Sequence, residues 1–80
     1  MNEVLLLGKI TEVDESDGYV KTFNLEVKEN EREINTFKIY LVGSCIDLKV
    51  NSKVIVKARL IITEYTQEFC IVAKDIIEFI

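Results

Sequence analysis

In TFKIYLV, residues 36–42, polar and apolar side chains alternate, so Thr36, Lys38, Tyr40 and Val42 share one side of an extended strand and Phe37, Ile39 and Leu41 the other. Residues 53–65 repeat the alternation. Val54, Val56, Ala58, Leu60 and Ile62 fall on one side, Ile55, Lys57, Arg59, Ile61 and Thr63 on the other, and Tyr65 follows. Ammonium and guanidinium groups neutralise phosphates, and aromatic rings stack on bases at roughly 1–3 kcal/mol each, so a strip of both types suits a single-stranded nucleic acid. Lys9, and Lys21 or Lys28, extend that strip. The same residue types also fill ordinary solvated positions of a half-exposed sheet, so alternation alone supports either reading.

Other chemistries are poorly supplied. The chain has no histidine, hence no Ser-His or Cys-His pair and no neutral-pH imidazole base. Gly8, Gly18 and Gly43 are too scattered for a phosphate cradle, and no GxxxxGK[ST] occurs. Cys45 and Cys70 lack the spacing and the histidine partners of a metal site and read as buried free thiols, with a disulfide or ligand role as the alternative. No catalytic residue, metal or cofactor is expected. A net charge of −4 argues against a polyanion binder held by bulk charge, but the acids concentrate in EVDESD at 12–17 and EVKENERE at 26–33, which leaves the rest of the surface near neutral.

The elements that must position these residues read as strands. Val4 to Val13 is the first, and DESDG supplies a turn at Gly18. Tyr19 to Lys28 is the second, with Lys21, Phe23, Leu25 and Val27 opposite Thr22, Asn24, Glu26 and Lys28. Ile34 to Val42 is the third. SCIDLKVNS is predicted to form a short helical turn capped by Ser44. Lys53 to Tyr65 is the fourth strand and Glu68 to Ile80 the fifth, interrupted near Lys74 and Asp75. Eighty residues without proline, repeat or linker make one domain over 1–80. An all-β chain of five strands with one helical turn between the third and fourth matches the layout of the OB-fold, a small Greek-key barrel, while strand count alone also fits SH3-like and other small barrels. Ile55 and Ile61, apolar on the outer side, call for a covering surface, most simply another subunit. The acidic start and short apolar run are not those of a secretory signal or a membrane span, so a cytoplasmic location is expected.

Five segments also resemble the bacterial-type single-stranded DNA-binding proteins. MNEVLLLGKI is similar to that family's opening, with Asn2, Gly8 and Lys9 in place and Glu3 where a basic residue is common. FNLEVKEN at 23–30, FKIYLVG at 37–43, LKVNSKVIVKARL at 48–60 and FCIVAKDIIEFI at 69–80 resemble the later strands in order. The resemblance implies sequence-independent binding of single-stranded DNA in replication, recombination or repair. Lys9, Thr36, Lys38, Tyr40, Val42, Lys57, Arg59 and Tyr65 would form the binding face. It also implies a dimer or tetramer in which first strands pair, placing Asn2, Val4, Leu6 and Gly8 at the interface.

Departures from the family accompany this. Stacking aromatics are usual at the places of Thr36, Val42 and Tyr65, and often near Glu31, yet only Tyr65 keeps one; Tyr40 offers a second platform. The 43–53 connection and the TEYTQEF hairpin are short. The sequence stops at Ile80 without the acidic-tipped tail that recruits replication and repair proteins in the family, as in a minimal, tail-less variant or a shortened chain. The missing rings and acidic balance favour a second reading, a primosomal-type protein-interaction module with weakened or lost DNA binding. RNA on the same surface is not distinguished from DNA by any residue here.

Overall fold

Alternating burial of small and β-branched apolar residues builds five strands: β1 (Glu3–Asp14), β2 (Val20–Lys28), β3 (Ile34–Val42), β4 (Lys53–Ile62) and β5 (Phe69–Phe79). The computed structural model describes residues 3–43, 46–62 and 68–79. The strands close into a barrel in the order β1-β2-β3-β5-β4, with β4 returning to β1. Every pairing is antiparallel except β3 with β5, where Ile39 faces Ile71 and Tyr40 faces Val72. This is the five-stranded Greek-key barrel of the OB-fold.

Closure depends on β1 serving two neighbours. Its residues 3–9 pair with β4 and its residues 9–14 with β2. Gly8 sits at the changeover, where a Cβ would overlap the Glu26 carbonyl oxygen and lie 3.1 Å from Leu25 Cγ, so a side chain there would push β2 away. Just past it, a bulge between Ile10 and Glu12 leaves Thr11 without a Cα partner. The bulge reverses which side chains face inward: Ile10 packs in the core as an even-numbered position, Val13 as an odd one. A second register shift lies between Lys57 and Ala58, opposite Ala73 and Asp75, and makes Lys74 the extra residue of β5, at the interruption expected from sequence.

The core is Ile10, Phe23, Leu25, Ile39, Leu41, Leu48, Val54, Val56, Ala58 and Ala73, joined by partly buried Val4, Leu6, Val13, Val27, Phe37, Ile46, Ile71 and Ile76. Among the described residues no buried side-chain nitrogen or oxygen lacks a hydrogen-bond partner.

The β3–β4 connection corrects one expectation. No helix occurs among the described residues, and residues 46–49 are irregular; the proposed cap, Ser44, lies outside the described residues. Ile46 and Leu48 turn inward while Asp47 and Lys49 face solvent, an alternation of two that an extended segment satisfies and a helix does not. The segment thus plugs the barrel with two side chains instead of a helical turn. It is fixed by Lys21 Nζ donating to the Ile46 carbonyl at 3.0 Å, by Asn51 N donating to Ile10 O at 2.6 Å and by Ile10 N donating to Ser52 O at 2.9 Å. Asn51 takes the left-handed φ of 73° that Asn tolerates better than most residues. Among the described residues no helix is long and apolar enough to cross a membrane.

Candidate nucleic-acid interface

Strand register arranges the outward side chains of β1, β2 and β3 in three successive rows. Lys9, Glu26 and Thr36 form one row, Glu12, Asn24 and Lys38 the next, and Asp14, Thr22 and Tyr40 the third. Val42, exposed, follows Tyr40 along β3, opposite Val20. The Tyr40 row continues the other way through Val72 on β5 to Arg59 on β4 and then Glu3 on β1. Tyr40 and Arg59 are therefore two strand spacings apart, about 10 Å along the sheet, with apolar Val72 between them. Lys57 lies one outward position from Arg59, opposite Leu5 and Asp75.

Of the residues singled out from sequence, Thr36, Lys38, Tyr40 and Val42 thus share one face with Lys9 at its margin, and Arg59 is joined to them through Val72. Lys57 stands one outward position farther along β4, beside Glu3. Tyr65 and Asn2 lie outside the described residues. Lys38 Nζ sits 5.4 Å from the Tyr40 ring centroid, so ring and cation form one unit.

Two carboxylates missed by the sequence reading share this face. Glu12 Oε2 accepts a hydrogen bond from Asn24 Nδ2 at 3.1 Å. Asp14 is held below the usual carboxylate range by hydrogen bonds from the Ser16 hydroxyl and N–H, the latter 2.9 Å long, with a smaller contribution from the Lys38 charge. The Thr11 bulge delivers both, because without it Glu12 would follow Ile10 into the core. The signal was present: Ile10 and Glu12 cannot both face inward.

A second cluster surrounds Glu3. Lys74 Nζ donates to Glu3 Oε1 at 3.1 Å and Lys57 Nζ lies 3.6 Å from the same oxygen. The Lys74 hydrogen bond, followed by the Lys57 charge, lowers the Glu3 pKa. A carboxylate with a lowered folded pKa adds stability that is present above its unfolded value and lost as pH falls through the lowered one. Acid melting curves between about pH 2 and 6 in dilute buffer are therefore expected to be shallower for Glu3→Gln than for the natural chain. The group is exposed, so the difference is small and should collapse in high salt. Curves that coincide in dilute buffer would contradict this.

The remaining features lie on the β1-β4-β5 side. Val4 and Leu6 pack against the core, and Gly8 backs onto Glu26, so these residues offer backbone more than side chains to an edge. The outward residues Leu5 and Leu7 are 71% and 57% exposed. Leu7, Ile55 and Ile77 lie side by side across the three strands, with Ile77 56% exposed and Phe79 beyond it. Residues 3–8 of β1 have β4 on one side and, among the described residues, no paired strand on the other. Ile10 bonds toward the Asn51–Ser52 side, and backbone bonding alternates along an antiparallel strand. The N–H and C=O of Leu5 and Leu7 consequently face the open edge.

Among the described residues no group of three or more His, Cys, Asp or Glu side chains is placed to hold a metal ion, and Cys70 is a half-buried free thiol; Cys45 lies outside the described residues. No protein-family model matches the chain, and a comparison with curated proteins finds no match.

Proposed function

We propose that this barrel binds single-stranded DNA without an absolute sequence requirement, along a path from Lys38 and Tyr40 across Val72 to Arg59. The observation that carries the reading is the register that lines up Tyr40, Val72 and Arg59 on adjacent strands, with Lys38 against the Tyr40 ring. A base can stack on the ring while the two cations take flanking phosphates. Tyr65, carried over from the family resemblance, supplies a second stacking ring.

Fluorescence anisotropy of labelled oligo-dT tests this at low salt. Binding is expected to weaken as salt rises, and Lys38→Ala is expected to reduce the slope of log K against log salt by about 0.7, one phosphate's share for a single strand. Tyr65→Ala is expected to weaken binding about tenfold or more. No binding at tens of micromolar protein would overturn the proposal.

We further propose self-association as a dimer, or a tetramer, through the open edge of β1 and the apolar side it borders. A two-fold pairing centred on Leu6 sets Leu5 of one copy against Leu7 of the other, within residues 3–8 that β2 leaves unpaired. It extends the β1-β4-β5 sheet across the axis, doubling the Leu5-Leu7-Ile55-Ile77 surface and offering it to a further pair. Linking two modest strips raises avidity through effective concentration.

Glu12 and Asp14 favour a second reading, a protein-interaction module, because carboxylates beside Lys38 oppose a phosphate backbone. The oligo-dT titration separates the two: a chain that associates with itself but leaves DNA free fits the second.

A further inference from the structure

Glu12, Asp14, Thr22, Asn24 and Lys38 surround an open cleft of about 250 Å³ over the strand at Phe23, whose ring faces the core. That is below the roughly 300–1,000 Å³ of pockets that hold whole small-molecule ligands, and suits one heterocyclic base. We infer that this cleft receives a base of the bound strand and favours guanine, with Glu12 as the residue that selects it. The inference rests on reading this face as a single-strand-binding surface.

Phosphates are excluded from the cleft by its two carboxylates, and Asp14 stays ionised through its bonds from Ser16. A strand held by Lys38 and Tyr40 therefore runs its backbone along β3 and turns bases toward β1. What a base meets there is fixed by Glu12 and Asn24. An ionised carboxylate only accepts hydrogen bonds, and Glu12 has one oxygen engaged by Asn24, which keeps a second N–H to donate.

Guanine alone offers two adjacent donors, N1–H and the N2 amino group, with the O6 acceptor alongside, so it can give two bonds to the carboxylate and take one from Asn24. Cytosine and adenine each present one amino group next to an acceptor nitrogen. Thymine places acceptor oxygens on both sides of its single N3–H, and both would face the carboxylate. The carboxylate that weakens phosphate binding is thus the group that discriminates among bases.

Three labelled oligonucleotides of about 15 nucleotides, the length one such barrel can cover, test this in competition at one salt concentration. One is all thymine, one carries guanine at three separated positions, and one carries inosine, which lacks the N2 amino group, at the same positions. The guanine strand is expected to bind about tenfold tighter than the thymine strand, with inosine between them. Glu12→Gln, a change at an exposed position, is expected to remove the guanine advantage while binding the thymine strand as well or better, since a negative charge is gone. Equal binding of all three by the natural chain would overturn the selection yet leave single-strand binding standing. A guanine advantage that survives Glu12→Gln would overturn the role of Glu12. Binding of none would remove the single-strand reading itself.

Discussion

Phe23→Ala is expected to remove about 3–5 kcal/mol of folding stability, because Phe23 is the largest fully buried side chain among the described residues. Phe23 is 2% exposed and lies between Val13 on β1 and Ile39 on β3, both inward-facing. Removing the ring loses its transfer free energy and leaves a cavity that closed strands cannot collapse to fill, because their spacing is set by backbone hydrogen bonds on both sides. A chain of 80 residues has roughly 4–12 kcal/mol of stability in total, so this one change takes a quarter or more of it. Urea unfolding followed by far-ultraviolet circular dichroism gives the measurement: the midpoint should fall sharply with an unchanged slope. Phe69→Ala is the control, since Phe69 is 68% exposed at the start of β5 and its loss should change stability by less than about 0.5 kcal/mol. A Phe23→Ala loss below about 1 kcal/mol would mean that the ring is not closely packed.

Such a core was legible in the sequence because period-two alternation fixes which side of each strand is buried. Phe23, Leu25, Ile39, Leu41, Val54, Val56 and Ala58 are all in the core and all on the apolar side of their strand. Alternation fails where register slips. Thr11 is the clearest case: one unpaired residue reverses the parity of β1 and carries Glu12 and Asp14 onto the face that strand parity had made basic and aromatic. At Ile62 the limit is the end of the barrel. Its parity is inward, yet it is exposed, because it lies opposite Phe69 where β4 ends and β5 begins. The connection after β3 was misread for a third reason, since Ile46 and Leu48 fit a short helix and an extended plug alike, and the geometry of the opening decides between them.

The leucines of β1 were obscured differently. VLLL is apolar without alternation, so the sequence does not say which members face the core. Register does: Val4 and Leu6 pack inward, while Leu5 and Leu7 face out beside Ile55 and Ile77. On the proposed pairing of two copies, the double change Leu5→Glu with Leu7→Glu is accordingly expected to leave a folded monomer. Burying a leucine side chain is worth about 1.5–3 kcal/mol, and a two-fold interface counts each position twice, giving four leucines. Recovery of only half that burial still amounts to roughly 3–6 kcal/mol, or about 10²–10⁴-fold in association. Carboxylates in their place would also face one another across the axis, since a Leu6-centred pairing sets position 5 against position 7. Val4→Glu would not serve as a test, because that side chain packs against the core and the barrel itself would fail. Sedimentation velocity across a concentration series reads the result directly, with circular dichroism to verify folding. If the natural chain is already a monomer at every concentration, the apolar side is not covered by a second copy. If the doubly substituted chain still associates, the contact lies elsewhere on the barrel. If it is a folded monomer that also binds oligo-dT more weakly, the loss measures what linking two strips contributes to holding a single strand.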